Sequence, residues 1–356
     1  MRKIILVILI FVMPINVFAI ANTASSAVVM DIDSNRIFFG KDIDNRRLIA
    51  SITKIMTSVL AIENGNLDDV VTVGEEVLTM YGSNIYIELG EKMTLRNILY
   101  GLMLRSGNDS AIVIATYIGG SEEKFVQMMN IKAKEIGMHN TTYSNSHGLD
   151  EVTQNYSTAR DMAILSSYAM GLDDYREIVG TKEWIVQGEV KSYSWKNRNK
   201  LLFSYEYATG GKTGYTPKAG RTLVTTASKL GLNLTAVTLN DGNEYISHRE
   251  MYEYVYNNYE NYLILNKNNF HIDEEFYNEE IYIKNNFVYP LNRDEKEEIK
   301  TLIKIVKLDD IKDNDKVGEI VVILNDEELY RDNIYVKIKE DKSFIYKILD
   351  FIKGLF

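Results

Sequence analysis

Cysteine is absent from this 356-residue chain. That excludes a disulfide framework, a thiolate metal site and a thiol nucleophile, so any catalysis must use another group. Histidine is scarce: His139, His147, His248 and His271 are the whole set, and they form no H-E-x-x-H or similar cluster. No metal or other cofactor is therefore expected. Positive charge is not in excess either. The formal net charge is −10, which disfavours nucleic acid as a partner. Internal repeats and low-complexity tracts are also missing. What remains, 46% hydrophobic and 25% charged residues, suits one or two globular domains with real cores.

The N-terminus carries an export signal. Arg2 and Lys3 precede the apolar run Ile4–Met13, and Val17-Phe18-Ala19 and Ala19-Ile20-Ala21 offer small residues for cleavage. A membrane span needs about 20 apolar residues, and Pro14 and Asn16 interrupt this run. Residues 1–21 are accordingly expected to be a secretory signal peptide. Its removal takes away two positive charges and leaves −12.

Along the rest of the chain, Ala27–Met30 and Ile37–Phe39 flank a turn and predict a β-hairpin. A helix is expected to begin at Ser51, with Ile52, Ile55, Met56, Val59, Leu60 and Ile62 in its period. Thr94 caps a second, and Asp109 or Ser110 a third, strongly apolar helix over Ala111–Ile118. A further helix is predicted from about Ser157 to Tyr168. Lys212–Tyr215, Arg221–Ala227 and Leu232–Leu239 then predict successive antiparallel strands. Helices between an early strand pair and a late strand set make an α+β fold, not an alternating βαβ one. From about residue 259 the texture changes. Short apolar or alternating runs at Ile281–Ile283, Leu302–Val306, Ile320–Leu324 and Ile334–Ile338 predict a small all-β domain over 259–340. Residues 341–356 mix large apolar side chains with Ser343, Lys347, Asp350 and Gly354 on one side. That segment is too short to span a bilayer, and fits an amphipathic helix at an interface.

Three short patterns carry chemistry. In Ser51-Ile52-Thr53-Lys54, residues three apart share a helical face, so Lys54 can take the proton that a serine must lose to become a nucleophile. At a helix N-terminus Ser51 also has a free N–H for an oxyanion. Lys54 can act only if burial or nearby cations lower its pKa. The pattern alone is weak, because Ser121-Glu122-Glu123-Lys124 repeats it where a helix start is the plain reading. Ser106-Gly107-Asn108, the one S-x-N here, offers a proton-relaying hydroxyl and an amide, and by itself is also an ordinary turn. Lys212-Thr213-Gly214 is likewise unique. Its lysine and hydroxyl suit a carboxylate, Gly214 permits close backbone approach, and the N–H of Tyr215 can pair with that of Ser51 as an oxyanion hole.

In that order the three patterns resemble the set S-x-x-K, S-D-N, K-T-G of class A β-lactamases and penicillin-binding proteins, with Ser-Gly-Asn here in place of Ser-Asp-Asn. The chain resembles the low-molecular-weight penicillin-binding proteins that are D-alanyl-D-alanine carboxypeptidases, from about residue 24 onward. Asn145–Asp150, Ser157–Met162 and Gly210–Thr216 look like further signatures. The resemblance implies a β-lactamase/transpeptidase-like catalytic domain over 22–258. It makes Ser51 the acylated residue, Lys54 the base, Ser106 and Asn108 partners in catalysis, and Lys212, Thr213, Gly214 and Tyr215 substrate-binding. Arg249 is the match to a carboxylate-binding arginine some 35 residues after K-T-G, and His147 is expected to be structural. Peptidoglycan stem peptides are the implied substrates and β-lactams covalent inhibitors. The implied location is the outer face of the cytoplasmic membrane, with peripheral contact through 341–356. A β-lactamase is the rival reading, since Glu151 and Asn155 superficially offer a water-holding pair. A DD-endopeptidase would use the same site, and a silent envelope-binding protein would not need the intact residue set.

Overall fold

The computed structural model describes residues 22–188, 191–272 and 274–338. The signal segment expected at 1–21 and the amphipathic helix expected at 341–356 lie outside them. The chain divides into two compact units, the second beginning at Tyr256 apart from three residues at Leu230–Leu232.

The first unit is built on a five-stranded sheet. Its order is Ile37–Lys41, Ser26–Asp31, Leu232–Leu239, Gly220–Lys229, Ala208–Thr216. Ser26–Asp31 pairs antiparallel with both the early hairpin strand and the late Leu232–Leu239 strand, with Ser26 opposite Leu239. The two ends of the unit thus meet in the middle of the sheet. Leu232–Leu239 is buried along nearly its whole length, as a strand covered on both faces must be. Side chains three apart on a strand point to opposite faces. Thr235 donates to Ser166 on the Ala159–Met170 helix at 2.8 Å, while Thr238 meets His248 on the Glu244–Asn258 helix at 3.1 Å. Helices therefore cover both faces, and burial pushes the His248 ring down to about 3, holding it neutral.

Ser51 does not open an α-helix directly. A 3₁₀ turn spans Ala50–Thr53 and the α-helix runs Lys54–Asn64. The cause lies one residue earlier: Ala50 has φ +49, a left-handed conformation that costs about 1–2 kcal/mol for a residue with a Cβ. The eight residues Lys54–Ala61 are all buried. A helix buried on every side belongs inside a helical cluster, and Ile55, Met56, Val59 and Leu60 pack there with Leu95, Ile98, Leu99 and Leu102. Thr94 caps the Leu95–Arg105 helix as expected, accepting from Asn97 N at 3.3 Å. The next helix starts earlier than expected, at Asn108, and its Asp109 is no cap. The Asp109 carboxylate instead accepts from Ile85 N (3.0 Å) and Tyr86 N (2.6 Å).

In the second unit four strands are ordered Glu280–Ile283, Glu327–Lys337, Lys316–Leu324, Lys300–Ile305. Alternate residues Ile281, Ile283, Ile320, Val322, Ile334 and Val336 form its core, the pattern of a sheet with one covered face. Asn325 and Asp326, with φ +50 and +64, supply the hairpin turn. The unit is not purely β: Arg293–Glu298 is helical, because Asn292 and Glu295 form a reciprocal capping box.

Gly211 has φ +135, and a Cβ there would lie 2.2 Å from Val224 O; Gly120, φ +74, has nothing within 4 Å. Gly211→Ala is expected to destabilise the first unit by about 3 kcal/mol or more, and Gly120→Ala by about 1 kcal/mol. Urea unfolding followed by circular dichroism measures both, and equal effects would contradict the close strand approach.

Candidate active site

Three elements converge at one end of the sheet. The Ala50–Thr53 turn presents Ser51, the bend between the Leu95–Arg105 and Asn108–Gly119 helices presents Ser106 and Asn108, and the Ala208–Thr216 strand presents Lys212, Thr213 and Gly214. Lys54 is fully buried, and its Nζ lies 3.2 Å from Ser51 Oγ, 2.7 Å from Asn108 Oδ1 and 2.5 Å from His147 O. Burial lowers its pKa to about 7, with Arg198 pushing the same way and Asp109 opposing. A neutral amine has two hydrogens and one lone pair. Asn108 Oδ1 and His147 O take the hydrogens, which leaves the lone pair for the Ser51 hydroxyl. Asn108 is oriented from its other end, where Nδ2 donates to Tyr81 O at 2.6 Å.

Lys212 is also buried, donating to Ser106 Oγ at 3.0 Å and Thr213 O at 2.6 Å. Burial holds its pKa well below the usual lysine range, and the charges of Lys54 and Arg198 add to that. Ser106 itself has φ +65, a left-handed bend that turns its hydroxyl back towards Lys212. Gly214 sits where a Cβ would come within 3.0 Å of Ser51 N and 2.3 Å of Thr222 Oγ1. Only a glycine lets the strand lie this close to the nucleophile's backbone. Thr222 secures the approach, donating to Ile49 O at 3.0 Å.

The segment 145–150 packs against the Ala50–Thr53 turn and Lys54. Gly148, at φ +90, passes so close to Ala50 that a Cβ would lie 2.0 Å from its carbonyl oxygen. Asn155, buried, donates to Thr53 Oγ1 and to Asn145 O, both at 3.0 Å. His147 Nδ1 accepts from Leu149 N at 3.0 Å, and burial drops its pKa to about 3. It is a structural residue whose carbonyl, not its ring, serves Lys54.

Ser51, Ser106, Thr213, Gly214 and Tyr215 line one cleft of about 710 Å³. Arg249 is not among its walls. Its Nη2 donates to Ser204 O at 2.8 Å and its guanidinium lies over the Tyr205 ring. The reason is helical rise: Glu244 and Tyr245 at the start of their helix reach the cleft, whereas Arg249 lies about 6 Å further along the axis. Sequence reasoning also passed over Arg198 and Arg221, which do line the cleft; neither belongs to a recognisable short pattern. The rival Glu151 and Asn155 pair is not assembled. Glu151 meets Tyr81 OH at 3.1 Å on the surface, and Asn155 is committed to Thr53 and Asn145. Ser121 and Lys124, the second S-x-x-K, are a helix cap: Ser121 Oγ accepts from Lys124 N at 3.3 Å.

A lysine with its pKa near 7 is protonated, and unable to accept a proton, below that pH. Acylation of Ser51 is expected to rise with pH through about 7 and level off above it. Lys54→Arg, always charged, should slow acylation by about 10³-fold. Stopped-flow labelling with a fluorescent penicillin across pH 5.5–9 (about) measures both, and a flat profile would remove Lys54 as the base.

Comparison with known proteins gives the family. The family model described as D-alanyl-D-alanine carboxypeptidase, peptidase S11, matches residues 15–243. The chain is 35% identical over 260 residues to D-alanyl-D-alanine carboxypeptidase DacF of Bacillus subtilis, covering 70% of this chain and 66% of that protein's length. It is 36% identical over 219 residues to a D-alanyl-D-alanine carboxypeptidase of a Streptomyces species, covering 56% and 75%. The solved structure of penicillin-binding protein 5 from Haemophilus influenzae superposes with a TM-score of 0.75 at 25% identity, over 89% of this chain and 97% of that one. The family model's match over residues 15–243, together with these relatives, places the chain in the D-alanyl-D-alanine carboxypeptidase family of serine peptidases.

Proposed function

We propose that this chain removes the terminal D-alanine from peptidoglycan stem pentapeptides through an acyl-enzyme on Ser51. The observation that carries the proposal is the buried Lys54 amine, 3.2 Å from Ser51 Oγ, with its other two positions already taken by Asn108 and His147.

The peptide lies along the Ala208–Thr216 strand with its scissile carbonyl over Ser51. The Ser51 hydroxyl passes its proton to Lys54 Nζ as Oγ bonds to the carbonyl carbon. The carbonyl electron pair moves to oxygen, where the N–H groups of Ser51 and Tyr215 hold it. When the tetrahedral centre collapses, the C–N bond breaks and the leaving nitrogen needs a proton. Lys54 returns it by way of the Ser106 hydroxyl, which Lys212 orients from 3.0 Å. Water then attacks the ester by the same steps in reverse, freeing the shortened peptide and Ser51. The terminal carboxylate of the substrate is met by Thr213, with Lys212 beneath it and Arg198 in the facing wall, not by Arg249.

A β-lactam enters the same sequence, but its leaving nitrogen stays tethered to the acyl group. With Glu151 and Asn155 not gathered to hold a hydrolytic water, the adduct is expected to persist. We also propose that the enzyme acts outside the cytoplasm, on the outer face of the membrane. The leader-like residues 1–21 and the amphipathic pattern of 341–356 support that location, as does the substrate itself.

Release of D-alanine from a synthetic pentapeptide is the direct test. The wild-type chain should release it and form a stable labelled adduct with penicillin, and Ser51→Ala should do neither. Rapid turnover of penicillin would favour the β-lactamase reading, and an adduct that survives Ser51→Ala would move the nucleophile elsewhere. Fractionation of cells expressing the full chain tests the location: mature enzyme lacking residues 1–21, recovered with membranes on the outer side, is the expected result. Unprocessed chain in the cytosol would overturn it.

A further inference from the structure

The chain is strongly acidic, at −10, yet its cleft is not. Among the described residues Lys196, Arg198, Lys200 and Arg221 all reach it, against one carboxylate, that of Glu244. Glu244 is already engaged, 3.5 Å from Arg221 Nη1. Among the described residues the other three have no carboxylate within 4 Å. Arg198 Nη1 donates to the neutral Ser83 Oγ at 2.8 Å, Lys196 Nζ lies 5.0 Å from the centre of the Phe203 ring, and Lys200 Nζ lies 5.9 Å from that of Tyr245. Aromatic faces stabilise a cation weakly without neutralising it. Arg198 is half-buried, and burial, with the charge of Arg105 outside the cleft, lowers its pKa.

A stem pentapeptide offers one carboxylate at its terminus, and Thr213, Lys212 and Arg198 suffice for that. Lys196 and Lys200 are then left over, on the stretch that runs from the hairpin strand Ser192–Lys196 to the helix at Leu201–Ser204. A cleft of about 710 Å³ has room for several residues of an extended peptide, so side chains next to the D-alanine pair lie within reach of these amines. We propose that the cleft selects stem peptides whose third residue carries a free side-chain carboxylate, of the 2,6-diaminopimelate type, over those with lysine there. This rests on the carboxypeptidase reading and names the substrate class within it. Lys196 and Lys200 meet the extra carboxylate, and the surplus positive potential draws a multiply charged anion into the cleft of an acidic protein.

Three synthetic pentapeptides test it, each ending in D-Ala-D-Ala and differing only at the third residue. That residue is meso-diaminopimelate, the same residue with its side-chain carboxylate amidated, or lysine. The free acid is expected to be cleaved with a kcat/KM about tenfold above either of the others. Raising salt from about 0.1 M to about 1 M, where the Debye length falls from about 10 Å to about 3 Å, should shrink that ratio. The double variant Lys196→Gln, Lys200→Gln should bring it close to one, with penicillin labelling confirming that the variant is folded. Equal rates on all three peptides, or a preference that the double variant retains, overturn the substrate class while leaving the carboxypeptidase intact. Failure to release D-alanine from any of them overturns the reading beneath it.

Discussion

A lysine amine sealed from solvent at the centre of a helical cluster is the constraint on which the rest of this structure depends. Moving a Lys pKa from 10.5 to about 7 means that burial disfavours the charged form by about 5 kcal/mol. The neutral amine is tolerable inside only if its hydrogens find acceptors. Asn108 Oδ1 and His147 O provide them, and those two acceptors fix where two distant stretches of chain must lie. Asn108 stays in place because its helix start is tied to the 81–86 segment by Tyr81 O, Ser83 O and the Asp109 carboxylate. The His147 carbonyl stays in place because Gly148 can press against Ala50 and Asn145 accepts from the Gly148 amide at 2.7 Å.

The same amine explains the strain around the nucleophile. Ala50 and Ser106 both adopt left-handed conformations, at φ +49 and +65. Each costs something locally, and each flanks a group that the site needs. The first tightens the turn so that Ser51 stands above Lys54, and the second swings the Ser106 hydroxyl towards Lys212. Both adjoin buried structure: the Lys54–Ala61 stretch follows the first, and buried Lys212 bonds the hydroxyl of the second.

Lys54 and Lys212 are two buried amines in one site, and their interaction is mutual. Charging one disfavours charging the other. A site in which protonation of Lys54 is opposed by burial and by neighbouring positive charge is one where the amine can take a proton briefly and then give it up. The cleft above continues that positive character outward through Lys196, Arg198, Lys200 and Arg221.

Much of this was legible before any coordinates. The hairpin, the Thr94 cap, the three late strands and the alternating runs of the second unit all follow from local periodicity and turn residues, which need no tertiary information. The order S-x-x-K, S-x-N, K-T-G picked out Ser51, Lys54, Ser106, Asn108, Lys212, Thr213 and Gly214, which the fold brings together. Other features depended on distance across the fold. Arg249 lies near the right place in sequence but one helical turn from the cleft, while Arg198 and Arg221 arrive there from a loop and a strand with no pattern to announce them. Asp109 looks like a cap and is in fact a clamp on a segment 24 residues earlier. Sequence by itself determined which chemical groups the protein owns and which elements carry them, since both are properties of neighbouring residues. Tertiary structure alone decided that Lys54 is dry enough to be a base and which cations reach the substrate, because burial and direction are set by residues far away along the chain.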